Sequence, residues 1–217
     1  MTSAEMTPDY RCYLVTSGTE RHTVEVAAAA AHAGAGVVQV RAKEASAAEL
    51  LALTIAVADA VAQANPATRV LVDDRTDIAY AACLAGAAVH GVHLGQDDLP
   101  VRPARELLGP DAIIGLTTGT LALVEQALAL ASVVDYIGAG PYRKTPTKDS
   151  GRPPLGVDGY RPIVAVSSLP VVAIGDITPV DVPALAATGI AGVALVRALM
   201  ASPDPGAVVR AVLANFR

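Results

Sequence analysis

The sequence predicts a single (β/α)8 barrel, and three observations carry that prediction. Short Val/Ile-rich runs alternate with longer Ala/Leu-rich stretches along the whole chain, the pattern of βα units that feed a parallel sheet. The alternation yields eight strand-length runs in 217 residues, and that number in one small domain fits a closed barrel better than an open sheet. Glycines that end helix patterns recur at Gly34, Gly86 and Gly189, at spacings of 52 and 103 residues. Both spacings are near multiples of ~26 residues, the length of one βα unit in a chain of this size. A doubly wound Rossmann-like sheet is the rival, and the lack of a G-x-G-x-x-G motif after the first strand weighs against it.

In chain order, the first four strands are read at Arg11–Thr16, Val37–Arg41, Arg69–Asp73 and Val89–Leu94. The next four are read at Ala112–Leu116, Val134–Gly138, Val171–Ile174 and Val193–Val196. Amphipathic helices are expected at Ala47–Ala64 and Leu121–Ala131, and a last helix at Pro205–Asn215 closes the outer ring. Gly34, Gly86 and Gly189 each supply the left-handed geometry that ends a helix. Thr178 and Pro179 read as N-cap and first helical residue, with Asp181 at the third position. Residues 1–9 are read as a flexible tail and residues 10–217 as the barrel.

Composition narrows the function classes. Hydrophobic residues make up 53% of the chain but aromatics only 3%, with no Trp and one Phe, so the core is expected to be Ala, Val, Leu and Ile. No apolar run approaches the ~20 residues that span a bilayer, since stretches such as Val24–Ala33 are broken by Glu25 and His32. The N-terminus lacks the basic and apolar segments of a secretory signal. Cys12 and Cys83 are far apart with no C-x-x-C pair, which argues against a disulfide scaffold or zinc site and suits a reducing cytoplasm. A net charge of −5 speaks against a nucleic-acid partner and leaves small anionic molecules as partners. The oligomeric state stays open, a homo-oligomer included.

The chemistry-bearing residues fall at strand C-termini, where such barrels place their sites. Gln39, Arg41 and Lys43 alternate, so a strand puts all three on one face. Arg grips phosphate oxygens with two parallel hydrogen bonds and Lys adds a point charge; the plainer alternative is a solvated strand end. The third strand ends in Asp73 and Asp74, and the fourth runs into Asp97 and Asp98. Adjacent strands lie ~5 Å apart, so Asp74 and one of Asp97 or Asp98 are candidates to share Mg²⁺. Each acid alone equally suits a helix cap. His90 and His93 sit three apart on a strand and so face opposite ways, which favours hydrogen-bonded structural roles over a shared metal. The segment from Ala139 to about Gly156 has no helical or strand pattern and carries Arg143, Lys144, Lys148 and Arg152. At that length it reads as a lid over phosphate, against the alternative of a solvated loop. Gly175 and Arg197 follow the last two strands, where a barrel commonly cups a phosphate.

Taken in order, these motifs resemble the thiamine phosphate synthase family. The matching stretches are QVRAK at Gln39–Lys43, VDDRTDIA at Val72–Ala79, GVHLGQDDLP at Gly91–Pro100, IIGLTTGT at Ile113–Thr120, DYIGAGPYRKTPTK at Asp135–Lys148 and PVVAIGDIT at Pro170–Thr178. The resemblance implies coupling of hydroxymethylpyrimidine diphosphate to a thiazole phosphate, with Mg²⁺, to give thiamine phosphate and pyrophosphate. By the same resemblance Gln39, Arg41, Lys43, Asp73, Thr117 and Lys148 bind the pyrimidine diphosphate, with Arg41, Lys43 and Lys148 catalytic. Asp74 and Asp98 match the metal ligands. Thr145, Thr147, Gly175, Asp176, Val196 and Arg197 match the thiazole-phosphate site.

Three positions depart from the family pattern. Asp73 stands where Asn is usual, Asp176 replaces the second Gly of a Gly-Gly pair, and Arg197 replaces a Ser. The expectation is that Asp176 turns its side chain away and offers only backbone, while Arg197 carries the phosphate charge. Two rivals remain: a thiazole tautomerase, which needs no metal-bound diphosphate site, and a non-catalytic thiamine phosphate-binding regulator.

Overall fold

The computed structural model describes residues 8–144 and 151–216. Its order is β1 (Cys12–Val15), α1 (Arg21–His32), β2 (Val37–Val40), α2 (Ala47–Ala64), β3 (Arg69–Asp73) and α3 (Thr76–Leu84). It continues with β4 (Gly91–Leu94), α4 (Val101–Leu108), β5 (Ile113–Thr118), α5 (Leu121–Leu128), β6 (Tyr136–Ala139) and α6 (Tyr160–Val166). The chain ends with β7 (Val171–Ile174), α7 (Val182–Ala186), β8 (Gly192–Leu195), α8 (Arg197–Met200) and α9 (Pro205–Leu213). Every neighbouring strand pair is parallel, and β8 pairs back onto β1, closing the barrel. The (β/α)8 expectation therefore holds, and the closed sheet replaces the Rossmann-like alternative.

Local chemistry sets the element ends. Ser46 and Glu49 form a reciprocal capping box at the start of α2. Thr178 and Asp181 form a second one, as expected, on a 3-10 turn at Pro179–Asp181 that leads into α7. Gly34, Gly86 and Gly189 take positive φ of 104°, 84° and 89° just past their helices, the left-handed stop their spacing implied. Helix α2 is apolar enough, at 18 residues, to pass a length-and-composition test for a membrane span. Its buried face of Leu50, Leu53, Val57, Ala58 and Val61 instead packs within the outer ring.

Strand register sorts the apolar residues into two cores. Side chains facing outward, such as Leu14, Val38, Val40, Val70 and Val72, pack under the helices with Ala27, Ala58 and Ala79. That layer is the Ala/Val/Leu/Ile core that the composition predicts. The barrel interior differs, being built around Tyr10, Tyr13 and Tyr136 with Val37, Leu71, Ile113 and Val172. The Tyr136 ring centroid lies 4.7 Å from that of Tyr10 and 5.9 Å from that of Tyr13. Two inward glycines make the space: a Cβ on Gly115 would fall 2.2 Å from the Tyr136 ring, and one on Gly138 would fall 2.9 Å from His93 Cε1. Changing Gly115 to Ala is expected to overpack this layer and cost about 1–3 kcal/mol in denaturant unfolding; an unchanged midpoint would show that the ring has room to move.

His90 sits at the opposite end of the barrel from the strand C-termini, just ahead of β4, and its Nδ1 accepts from the Val70 amide at 3.0 Å. Burial, then the nearby Arg69 charge, push its imidazole below the usual value. A lowered folded pKa means that the unfolded chain binds the proton more tightly. Stability from His90 is therefore full above the ordinary value of 6.5 and is lost as pH falls from there through the folded value. Thermal stability should decline across that window, and replacing His90 with Gln should flatten that part of the decline.

Candidate active site

The C-terminal ends of the strands enclose a cavity of about 660 Å³, a usual size for a small-molecule site. Gln39, Arg41 and Lys43 all line it, as their alternation predicts. Gln39 is buried, and its Nε2 donates to Asp73 Oδ1 in a short hydrogen bond. Arg41 Nε lies 3.3 Å from Asp73 Oδ2, with the Asp73 side chain only 11% exposed. Asp73 therefore ties the first two residues of the row together.

Lys43 Nζ pairs with Asp74 Oδ2 at 2.6 Å. Burial alone would lower the ammonium pKa, but the hydrogen bond and charge of Asp74 outweigh it and hold it above the usual value. Asp74 adopts φ 60°, a conformation that costs non-glycine residues strain and recurs at functional positions. Asp98 Oδ2 accepts from the Gly95 amide at 2.6 Å, and its carboxyl is also within hydrogen-bonding reach of Asp74. Burial first, then the facing Asp74 carboxyl, raise the Asp98 pKa. Two carboxylates held face to face repel unless a proton or cation sits between them. Their hard oxygen donors suit Mg²⁺, which typically takes one or two carboxylates and fills its shell with phosphate and water. Among the described residues no group of three or more His, Cys, Asp or Glu gathers.

Thr117 also lines the cavity, with its Oγ1 2.9 Å from His93 Nε2. Of the expected lid, Thr145, Thr147 and Lys148 lie outside the described residues. Arg152 Nη1 donates to the Thr118 carbonyl at 2.7 Å and lines the mouth, while Lys144 is exposed. Arg143 is committed elsewhere, to Asp181 and to the Asp176 carbonyl at 3.0 Å. Burial would raise the Asp181 carboxyl, but Arg143 and Thr178 hold it below the usual carboxylate range. Arg143 thus ties the loop after β6 to the loop after β7.

Gly175, Asp176, Val196 and Arg197 meet on the opposite side of the mouth. A Cβ on Gly175, at φ 116°, would lie 2.6 Å from the Tyr142 amide, so only glycine lets the two loops approach. Asp176 takes φ 56°. The sequence led us to expect a side chain turned away from the phosphate, offering only backbone; instead it lines the mouth and forms a short ion pair with Arg197. The Arg197 side chain is 54% exposed, and ion pairs so open to water are worth little, so an incoming phosphate can compete for the guanidinium. Changing Arg197 to Ser is expected to raise the KM for a thiazole phosphate roughly 10–100-fold, the worth of one charge-assisted hydrogen bond; an unchanged KM would remove Arg197 from the cup.

Three cavity residues carry no site role in the sequence reading: Tyr13, Tyr136 and His93, although the last two fall within the matched stretches Asp135–Lys148 and Gly91–Pro100. Sequence reading gave His93 a hydrogen-bonded role, which it has, but did not place it in the site. The usable signal was parity: Val15 pairs with Gln39, and His93 pairs with Gly115, which pairs with Tyr136. Residues level with known inward positions face inward too, and a buried tyrosine hydroxyl usually finds a partner.

Fold and site define a (β/α)8-barrel enzyme whose mouth combines a cationic row, a facing carboxylate pair and an arginine-bearing cup. The thiamine monophosphate synthase family model matches residues 12–199. The chain is 61% identical to a thiamine-phosphate synthase of Corynebacterium efficiens over 97% of its own length and 96% of that protein. It is 60% identical to one of Corynebacterium jeikeium, over 96% and 95% of the two lengths. Its backbone matches a thiamine phosphate pyrophosphorylase from Pyrococcus furiosus with TM-score 0.83 and 28% identity, covering 96% of each chain. The chain belongs to the thiamine monophosphate synthase family.

Proposed function

We propose that this barrel acts as a thiamine-phosphate synthase, a transferase that couples 4-amino-2-methyl-5-hydroxymethylpyrimidine diphosphate to a thiazole phosphate. The observation that carries the reading is the cationic row of Arg41 and Lys43 beside the Asp74–Asp98 pair, in one cavity with the Arg197 cup. One wall thus suits a diphosphate and the other a monophosphate.

Asp74 and Asp98 are the residues that would hold Mg²⁺, whose charge would offset that of the diphosphate. Arg41 and Lys43 face the same oxygens and stabilise the negative charge that grows on them. The methylene C–O bond breaks and its electron pair leaves with pyrophosphate. The aminopyrimidine ring delocalises the positive charge left on the methylene carbon. The thiazole nitrogen lone pair then forms the new C–N bond, so the path is dissociative and needs no protein nucleophile. Arg197 and the backbone at Gly175 would hold the thiazole phosphate so that its nitrogen reaches that carbon. Lys148, Thr145 and Thr147 enter this reading through the family resemblance alone. Cys12 and Cys83 are free thiols, which suits a cytoplasmic setting.

The test is product formation by the purified protein. Thiamine phosphate should form only when both substrates are present. Binding of thiamine phosphate without its formation would mark a regulator, and proton exchange on the thiazole without diphosphate chemistry would mark a tautomerase.

A further inference from the structure

A continuous hydrogen-bonded chain crosses the floor of the cavity. It runs from Asp73 through Gln39, Tyr13, Tyr136 and His93 to Thr117. Tyr13 donates to Gln39 Oε1 at 2.6 Å. The Tyr13 and Tyr136 hydroxyls lie 2.8 Å apart, and the Tyr136 hydroxyl lies 2.8 Å from His93 Nδ1. His93 Nε2 reaches Thr117 Oγ1 at 2.9 Å.

The Asp73 end and the capacities of these groups fix the direction of each link as far as His93 Nδ1. The Asp73 carboxylate, paired with Arg41, only accepts. Gln39 must therefore turn its amide nitrogen to Asp73, which leaves its carbonyl oxygen to accept from Tyr13. Tyr13 spends its one hydrogen there, so Tyr136 donates to Tyr13. Tyr136 then has only lone pairs for His93, and His93 Nδ1 must carry a hydrogen. Burial raises both phenols well above their usual pKa, so they keep their protons. A neutral His93 protonated on Nδ1 offers a lone pair at Nε2, and the Thr117 hydroxyl donates to it.

We infer that Tyr13 and Tyr136 are positioning residues that lock His93 in the Nδ1–H tautomer and so make the Thr117 oxygen a hydrogen-bond acceptor toward the substrate. Resting on the synthase reading, this selects a ring that presents an N–H at that point, as an aminopyrimidine can, over one that presents only lone pairs.

The direct test is long-range ¹H–¹⁵N NMR of protein labelled with ¹⁵N-histidine, with the His93 signal assigned by its loss in His93→Gln. The expected pattern is the Nδ1–H tautomer, the minority form of free imidazole in water. Tyr136→Phe, which keeps the ring volume, should switch His93 to Nε2–H. It should also lower kcat about 10–100-fold, with the KM for the thiazole phosphate unchanged. Tyr13→Phe, which frees Tyr136 to donate to His93, should shift the tautomer the same way. An Nε2–H or doubly protonated His93 in the unmodified protein would overturn the inference, as would an Nδ1–H pattern that survives both Phe variants. The tautomer is read without turnover, so a failure of the synthase reading is seen separately, as no thiamine phosphate formed by the unmodified protein.

Discussion

Replacing Asp98 with Asn is expected to lower Mg²⁺-dependent turnover about 10²–10³-fold, several kcal/mol of lost stabilisation of the departing diphosphate. This carboxylate has two jobs. One oxygen accepts from the Gly95 amide at 2.6 Å and shapes the turn after β4. The carboxyl also faces Asp74 across the proposed cation position. Asn keeps a carbonyl oxygen for the amide and replaces the other, charged oxygen with an NH2 donor that can face Asp74. Thermal stability should therefore change little, while Mg²⁺ affinity measured by titration calorimetry drops together with turnover. If the unfolding midpoint collapses along with activity, the main job of Asp98 is the turn.

Replacing Lys43 with Met is expected to lower kcat by about 10²–10³-fold, the usual cost of removing one group aimed at developing charge. Here the metal site should respond in the opposite sense. Lys43 sits 2.6 Å from Asp74 and offsets part of its charge. Without it, the Asp74–Asp98 pair is more negative, so Mg²⁺ should bind as well as before or more tightly. Turnover falls in both variants, but metal affinity falls only in the Asp98 variant. Titration calorimetry beside steady-state kinetics reads that split, and a weaker Mg²⁺ affinity in the Lys43 variant would contradict the geometry.

The fold was legible because its signals are local. Strand and helix periods, the helix-ending glycines and the Thr178–Asp181 cap are each written within a few residues, and each appears where it was expected. The row Gln39–Arg41–Lys43 was legible for the same reason, since alternation alone puts three residues on one face. Two features were not. The tyrosine floor depends on which residues of distant strands stand level in the closed barrel, and that register belongs to the sheet as a whole. Gly115 makes room for Tyr136, yet nothing near Gly115 in the sequence refers to a side chain twenty-one residues away. The Asp176–Arg197 pair failed for a related reason. Considered singly, a carboxylate near a phosphate site should turn away, but the loops after β7 and β8 bring a partner cation within reach. Strand ends shifted by one or two residues in both directions: β5 and β6 run on to Thr118 and Ala139, whereas β2 and β8 stop one residue short of the reading. Val196 is the clearest case, because it leaves β8 to precede α8 and hands Arg197 to a helix.

The most direct test of the account is pyrophosphate release by the purified protein, measured with both substrates, with each alone, and with and without Mg²⁺. The account predicts release only when the pyrimidine diphosphate, the thiazole phosphate and Mg²⁺ are all present, in step with thiamine phosphate formed. Release that is equally fast after the divalent cation is chelated, or no release with all three present, would contradict it.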